Sequence, residues 1–439
     1  ITLFIFSSFC VTVLYFSFSH IHRQRQLLHS TSRNRVEGVL EDDNSPVEAD
    51  KLSGIKINWP RKEPVPDLNH YPKFKTLLGV VSEWNPDIPD PPEEFTEVLQ
   101  HFDYSNAEEL AIAERYRDAE LPFKLYNIPE FAVVGRKWTD RYLTQKLAHD
   151  HSHTERSKNN HFLYWTMHGH HRDPDYVPPT EIVRSTFQEW REIARRGDEM
   201  KINASTEHFY FMTGSDFGDR EGWISKDLPS LNTDKRNFFI TNVEANKGTQ
   251  CRFGMRGIIA ESHYDTGRNM IAMLKGNKRY ILNPPSACKR LGIIAESHYD
   301  TGRNMIAMLK GNKRYILNPP SACKRLGIIT DRKHPSFRHS IIDWSDVAQA
   351  KASGFHEVQA IDTIVRTGEV LYIPSFWFHY IISLEYSVQC NSRSGTPPGL
   401  EGKHYIDDCM GTELDFSEYN KPEGGHGRRK RKRFKMKHH

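Results

Sequence analysis

The sequence contains no Cys-x-x-Cys, and its six cysteines (Cys10, Cys251, Cys288, Cys323, Cys390, Cys409) follow no regular spacing. That excludes a zinc ribbon and gives no sign of a disulfide scaffold. Charge of one sign is also lacking, since 60 Lys+Arg stand against 56 Asp+Glu for a net +4 over 439 residues. Even this small excess is local: eight of the ten residues Arg428–Lys437 are basic, which leaves the rest of the chain net acidic. The folded part is therefore not a polyanion-binding body, and any such role falls to the tail. With 37% hydrophobic, 26% charged and 11% aromatic residues, wholesale disorder, collagen and a polytopic membrane protein are excluded.

What is present begins with the two ends. Ile1–Ser19 has no charged residue and 13 of its 19 positions are apolar. A bilayer core needs about 20 such residues, so residues 1–22 are expected to be a transmembrane anchor. No A-x-A-like site follows, which favours an uncleaved anchor over a cleaved signal peptide. Arg23, Arg25, Arg33 and Arg35 precede any acidic residue. The positive-inside rule would then keep the body cytoplasmic, although the side of the membrane stays open. Residues 23–72 are polar, Pro-containing and aperiodic, and are read as a linker. Residues 396–439 are read as a flexible tail whose basic run could meet nucleic acid or anionic lipid, or simply stay solvated.

Self-comparison exposes a repeat. Gly257–Leu291 recurs letter for letter as Gly292–Leu326. Solenoids need three or more stacking units, so two perfect copies are not a solenoid. They indicate a recent tandem duplication, or an error of sequence assembly, inside an architecture built around one copy.

Local pattern predicts helices early and strands late. A helix is expected from Ser105 as N-cap, with Glu108 completing a capping box. Others are expected over Trp138–Leu147 and over Thr180–Ala194, where Ile182, Val183, Phe187, Trp190 and Ile193 recur at helical spacing. Asn269–Lys275 and Lys278–Asn283 flank Gly276-Asn277 as a hairpin, repeated around Gly311-Asn312. Val370–Pro374 and His379–Val388 are further strand candidates. The expected fold class is α+β, with helices preceding a β-sandwich or barrel core.

Each copy carries His-x-Asp: His263-Tyr264-Asp265 and His298-Tyr299-Asp300. On a strand, residues i and i+2 share a face, so imidazole and carboxylate converge. One more ligand would complete a 2-His-1-carboxylate set, which leaves three positions of an octahedral iron open. Alone the motif is weak in a chain with 23 His. Fifteen residues past each His stands a Lys, Lys278 or Lys313, suited to the distal carboxylate of a dicarboxylate cosubstrate. Further on, Gly368-Glu-Val-Leu-Tyr-Ile-Pro-Ser-Phe-Trp-Phe-His379 is a strand entering an aromatic turn and ending in His. His149, His151 and His153, with His168, His170 and His171, are read as solvated loop residues rather than a zinc site.

The HYD strings, NMIAMLKGNKRYILNPP and GEVLYIPSFWFH together resemble the JmjC/cupin-like Fe(II)- and 2-oxoglutarate-dependent oxygenases. The resemblance is greatest to their hydroxylase branch, typified by the asparaginyl hydroxylase acting on hypoxia-inducible factor, and covers roughly Leu121–Ser394. It implies a double-stranded β-helix (jelly-roll) core within residues 121–395, preceded by a helical extension over 73–120. It implies that His298 and Asp300, or His263 and Asp265, hold iron together with His379. By the same resemblance Lys313 or Lys278 would bind the C5 carboxylate of 2-oxoglutarate, and Asn304 or Asn269, Asn391 and Tyr210 would line the cosubstrate pocket. One departure is Ala295, or Ala260, where a hydroxylated residue often stands three positions before the motif; Ser297 or Ser262 is a substitute. Spacing to His379 favours the second copy and spacing to Tyr210 the first, with a slight lean to the second for the metal. The implied activity is a dioxygenase using Fe(II), 2-oxoglutarate and O2, acting on a protein substrate as a hydroxylase. N-methyl-lysine demethylation and a non-catalytic cupin-like pseudoenzyme are the alternatives; no zinc-finger or histone-reader motif supports the former.

Overall fold

A computed structural model of the chain describes residues 55–68, 70–148, 152–167, 172–215, 222–275, 277–282, 300–305, 307–310, 313–318, 325–331, 333–337, 339–394 and 403–410. Within 264–269, 273–282 and 300–318, and at 247, 393 and 410, the description is of the backbone alone. The expected anchor, residues 1–22, and the basic run lie outside the described residues. Among the described residues, no helix is long and apolar enough to cross a membrane.

The strands close into a barrel built from two antiparallel faces. The long strand Ile259–Lys275 serves both. Its first part pairs with Phe378–Ser383 and its second part with Ser387–Ser394. Outward from Ser387–Ser394 run Asn246–Gly254, His208–Gly214, Ser152–Ser157 and Thr180–Ser185 in succession. The opposite face carries Asn277–Leu282 and Lys313–Asn318 beside Phe378–Ser383, with Gln359–Arg366 beyond.

Alternation along these strands sorts the apolar residues into three layers. Ile271, Ile361, Val365, Leu371, Ile373 and Ile381 fill the space between the two faces. Their neighbours Met270, Ala272, Val370, Tyr372, Val388 and Cys390 point outward into a second cluster, closed by the helices Ala107–Asp118, Pro129–Lys137 and Phe187–Met200. Ala360, Ile364, Phe378, Tyr380 and Ile382 point into a third, closed by Leu77–Glu83, Val347–Ala352 and Lys403–Met410. Strands covered on both faces read as nearly continuous apolar runs, as Phe378–Ser383 does. Each fully buried Leu, Ile or Phe contributes about 1.5–3 kcal/mol. The observed architecture is thus a cupin-type α+β fold, as expected.

Several local expectations are corrected. The early helix starts after Asn106, whose Oδ1 accepts Glu108 and Glu109 N–H, while the Ser105 hydroxyl donates to Asp103. The Trp138–Leu147 helix is limited to Asp140–Lys146, capped by Thr139. Thr180–Ser185 is a strand, and the helix begins only after Thr186, where Thr186 and Glu189 form a reciprocal capping box. Pairing with Ser152–Ser157 overrides the helical spacing there. The same pairing puts His153 on a strand opposite Arg184 rather than in a solvated loop. Ile55–Asn58, read as linker, includes a strand parallel to Glu94–Thr96, and the 73–120 stretch contributes strands as well as helices. In the expected tail, Lys403–Met410 is a helix that buries Ile406 and Cys409.

The two segments flanking Gly276-Asn277 form no hairpin among the described residues. Lys275 pairs toward Val388 on one face, whereas Lys278 pairs toward Val365 on the other, so the connection crosses between faces. Cys251 and Cys390 stand directly opposite one another and are joined in a disulfide. Spacing gave no hint of it, because strand register brings together residues separated by 139 positions.

The repeat addresses one seat. Cys390 has Cys251 on one edge, while Ala272 of the first copy and Ala307 of the second both pair with it from the other. Likewise Leu282 and Leu317, equivalent in the two copies, share His379 as partner. A strand has only two edges for hydrogen bonding. The barrel therefore has room for one copy at this register. Deleting either copy yields the same shorter chain, which is expected to unfold cooperatively at an unchanged or higher temperature; a lower melting temperature would show that both copies contribute to the core.

Candidate metal centre

His263 and His379 reach the centre from adjacent antiparallel strands, directly opposite one another. Their ring centroids are 3.9 Å apart, with the planes inclined by 59°. Between Ala260 and His263 the register shifts: Ala260 faces Ile381 and His263 faces His379, so three residues span what two span on the partner strand. This bulge re-aims His263 onto the inner face shared by His379 and Ile381. His379 itself is 1% exposed, with Ile381 of the inner cluster two residues on.

Each ring is fixed by its own chain. Nδ1 of His263 bonds the main-chain O of Glu261 at 2.7 Å, and Nδ1 of His379 that of Trp377 at 3.1 Å. A carbonyl accepts only from a protonated nitrogen, so both rings are Nδ1–H tautomers and Nε2 is the atom that would coordinate a metal. Two neutral imidazoles suit a divalent first-row metal. Asp265 lies two residues beyond His263 on the same strand, and Asp300 pairs with it in parallel register. Two histidines, with an aspartate two residues beyond the first on the same strand, are donor types that a non-haem iron site would use. His298 lies outside the described residues. Of the two candidate histidines, the described one is His263 of the first copy, and it stands opposite His379.

The other expected residues take distinct stations. Asn391 is buried and faces Ile271, hence the inner layer, where a cosubstrate would lie. Asn269 is two residues earlier on that strand, opposite Arg393, and Asn304 lies on the parallel strand Asp300–Met305. Lys278 pairs with inner-layer Val365, and Lys313 with Ser383. Tyr210 sits in the outer aromatic cluster, edge-on to Phe162 at 5.6 Å, and burial raises its hydroxyl pKa. Ala260 faces Ile381 and supplies no hydroxyl there; Ser262 is fully buried and its main-chain O accepts Ser340 N–H. Among the described residues, no group of three His, Cys, Asp or Glu side chains is disposed to hold a metal.

Two neighbours escaped the sequence reading. His339 stacks on His263 with centroids 5.3 Å apart, its Nδ1 on Phe337 O. It comes from a loop with no periodic signal and is brought in by the Ser340–Ser262 bond. Glu261 shares the strand with His263, and its Oε1 lies 2.5 Å from Nδ1 of His161. Burial alone would lower the His161 pKa, but Glu261, Asp87 and Asp343 around it push it up to about 11. His161 is therefore an imidazolium that anchors the base of the His263 strand. The E-x-H-x-D string was the available signal, and only its last two members were read.

A family model described as the Cupin-like domain matches residues 292–392, a stretch that includes Lys313, His379 and Asn391.

Proposed function

We propose that the chain is an Fe(II)- and 2-oxoglutarate-dependent dioxygenase that hydroxylates protein side chains. The observation that carries this reading is the opposed His263–His379 pair, each ring tautomerically fixed, in a cupin-like barrel. Bound iron would supply O2 activation coupled to decarboxylation of 2-oxoglutarate, with succinate, CO2 and a hydroxylated C–H as products. The protein's part is positional. His263, His379 and Asp265 would hold the metal, Lys278 or Lys313 would pair the C5 carboxylate, and Asn391 with Asn269 or Asn304 would orient the cosubstrate. The apolar layer of Ile271, Val365, Leu371 and Ile381 would keep that pocket dry. The resemblance to protein hydroxylases, rather than any substrate-shaped feature, motivates the substrate class.

The test is an anaerobic Fe(II) titration of the full chain followed by 2-oxoglutarate turnover without added substrate, read as succinate. Stoichiometric iron binding and slow succinate release are expected. No iron binding and no succinate would leave the non-catalytic cupin in its place.

A further inference from the structure

The chain holds one Asn-x-Ser/Thr triplet with x other than Pro: Asn203-Ala204-Ser205. It lies just past the helix Phe187–Met200, where Lys201 turns left-handed (φ 46°) and ends the helix. Asn203 and Ser205 are both exposed. Asn203 Oδ1 accepts Ser205 N–H at 3.0 Å, and its main-chain O accepts Thr206 N–H and the Thr206 hydroxyl at 3.2 and 2.8 Å. The side-chain amide is thus displayed on a polar surface turn of the Asx type. A triplet of this composition in an exposed loop is an acceptor for N-linked oligosaccharide in a secreted or lumenal protein.

A separate observation bears on the same compartment. Cys251 and Cys390 are joined by a disulfide and are both fully buried between core strands. Cys409, in the helix Lys403–Met410, is disulfide-bonded as well. Reducing buffers of the cytosol keep such thiols apart, whereas the lumen of the secretory pathway oxidises them.

We propose that Asn203 carries an N-linked glycan, added in the secretory lumen where the Cys251–Cys390 bond also forms. In the transfer, Asn203 Nδ2 loses one proton and bonds to the anomeric carbon of a lipid-diphosphate-linked oligosaccharide. The C1–O bond of that donor breaks and lipid diphosphate leaves. In the oxidation, two thiols release two protons and two electrons to the disulfide of a thiol oxidoreductase. The domain then lies on the lumenal side, opposite to the side that Arg23, Arg25, Arg33 and Arg35 would favour. Taken with the proposed activity, on which this step alone rests, the substrates are lumenal or secreted proteins.

The experiment expresses the full chain in eukaryotic cells and treats it with peptide N-glycosidase F. The expected result is a gain in mobility on treatment, conversion of Asn203 to Asp in the released peptide, and an Asn203→Gln chain that already migrates at the treated position. Alkylation before reduction should leave Cys251 and Cys390 unlabelled and joined in one peptide pair. An unmodified Asn203 peptide from the membrane or secreted fraction overturns the glycan site. Alkylated Cys251 and Cys390 in the native protein overturn the oxidising compartment. Neither readout uses iron or turnover, so a failure here leaves the proposed activity standing, and absence of succinate release leaves the glycan standing.

Discussion

Replacing His379 by Ala is expected to abolish Fe(II)-dependent succinate formation and to weaken metal binding by more than 100-fold, with the fold retained. The magnitude follows from a comparison: losing even the outer partners of a metal ligand typically costs roughly 10–100-fold in affinity or activity, and the ligand itself must cost more. The effect should track the first repeat copy, because His263 is the residue opposite His379. His263→Ala should therefore match His379→Ala, whereas His298→Ala should keep metal and turnover. Titration with Fe(II) or Co(II), beside a thermal melt of each variant, distinguishes loss of a ligand from loss of the fold. If His298→Ala loses the metal and His263→Ala keeps it, the second copy occupies the seat.

The second large effect is on stability. The Lys124 and Glu97 side chains have no exposure, and their Nζ and Oε2 are 2.9 Å apart. Lys124 Nζ also donates to Ile364 O at 3.0 Å, and Glu97 Oε2 accepts the Thr363 hydroxyl at 2.7 Å. The other Glu97 oxygen accepts Val98 and Leu99 N–H. Nearby Glu369 is held at about 2: burial would raise it, but Lys124 and His101 outweigh that. Glu97→Ala leaves a buried ammonium with part of its charge uncompensated, and is expected to lower the unfolding free energy by about 3–5 kcal/mol. The double variant Glu97→Ala with Lys124→Met removes both charges and should recover most of that loss. Urea denaturation of the three chains checks it; a single-variant loss below about 1 kcal/mol would mean that Glu369 alone satisfies Lys124.

Glu369 also fixes the sign of a pH effect. Its folded-state pKa is depressed, so the stability it contributes is complete above the ordinary Glu pKa. That contribution is lost as pH falls from there toward about 2.

The candidate ligands were legible because their spacing is local. Two residues apart on a strand place His263 and Asp265 together without reference to the rest of the fold, and GEVLYIPSFWFH marks the His379 strand by composition alone. The errors fell where distant pairing decides. Thr180–Ser185 has helical spacing but takes a strand partner, Lys275 and Lys278 flank an apparent hairpin turn but pair on different faces, and Cys251 meets Cys390 only through register.

Sequence alone determined that the chain has an apolar leading segment, a basic end, a letter-for-letter duplication, and ligand types fit for a non-haem iron. These are properties of composition and short spacing. Tertiary structure decided that the two copies address one register, that His263 faces His379, that His339 stacks on His263, and that His161 pairs with Glu261. A strand offers two edges and a barrel one interior, and which residues share them depends on contacts that no local pattern encodes.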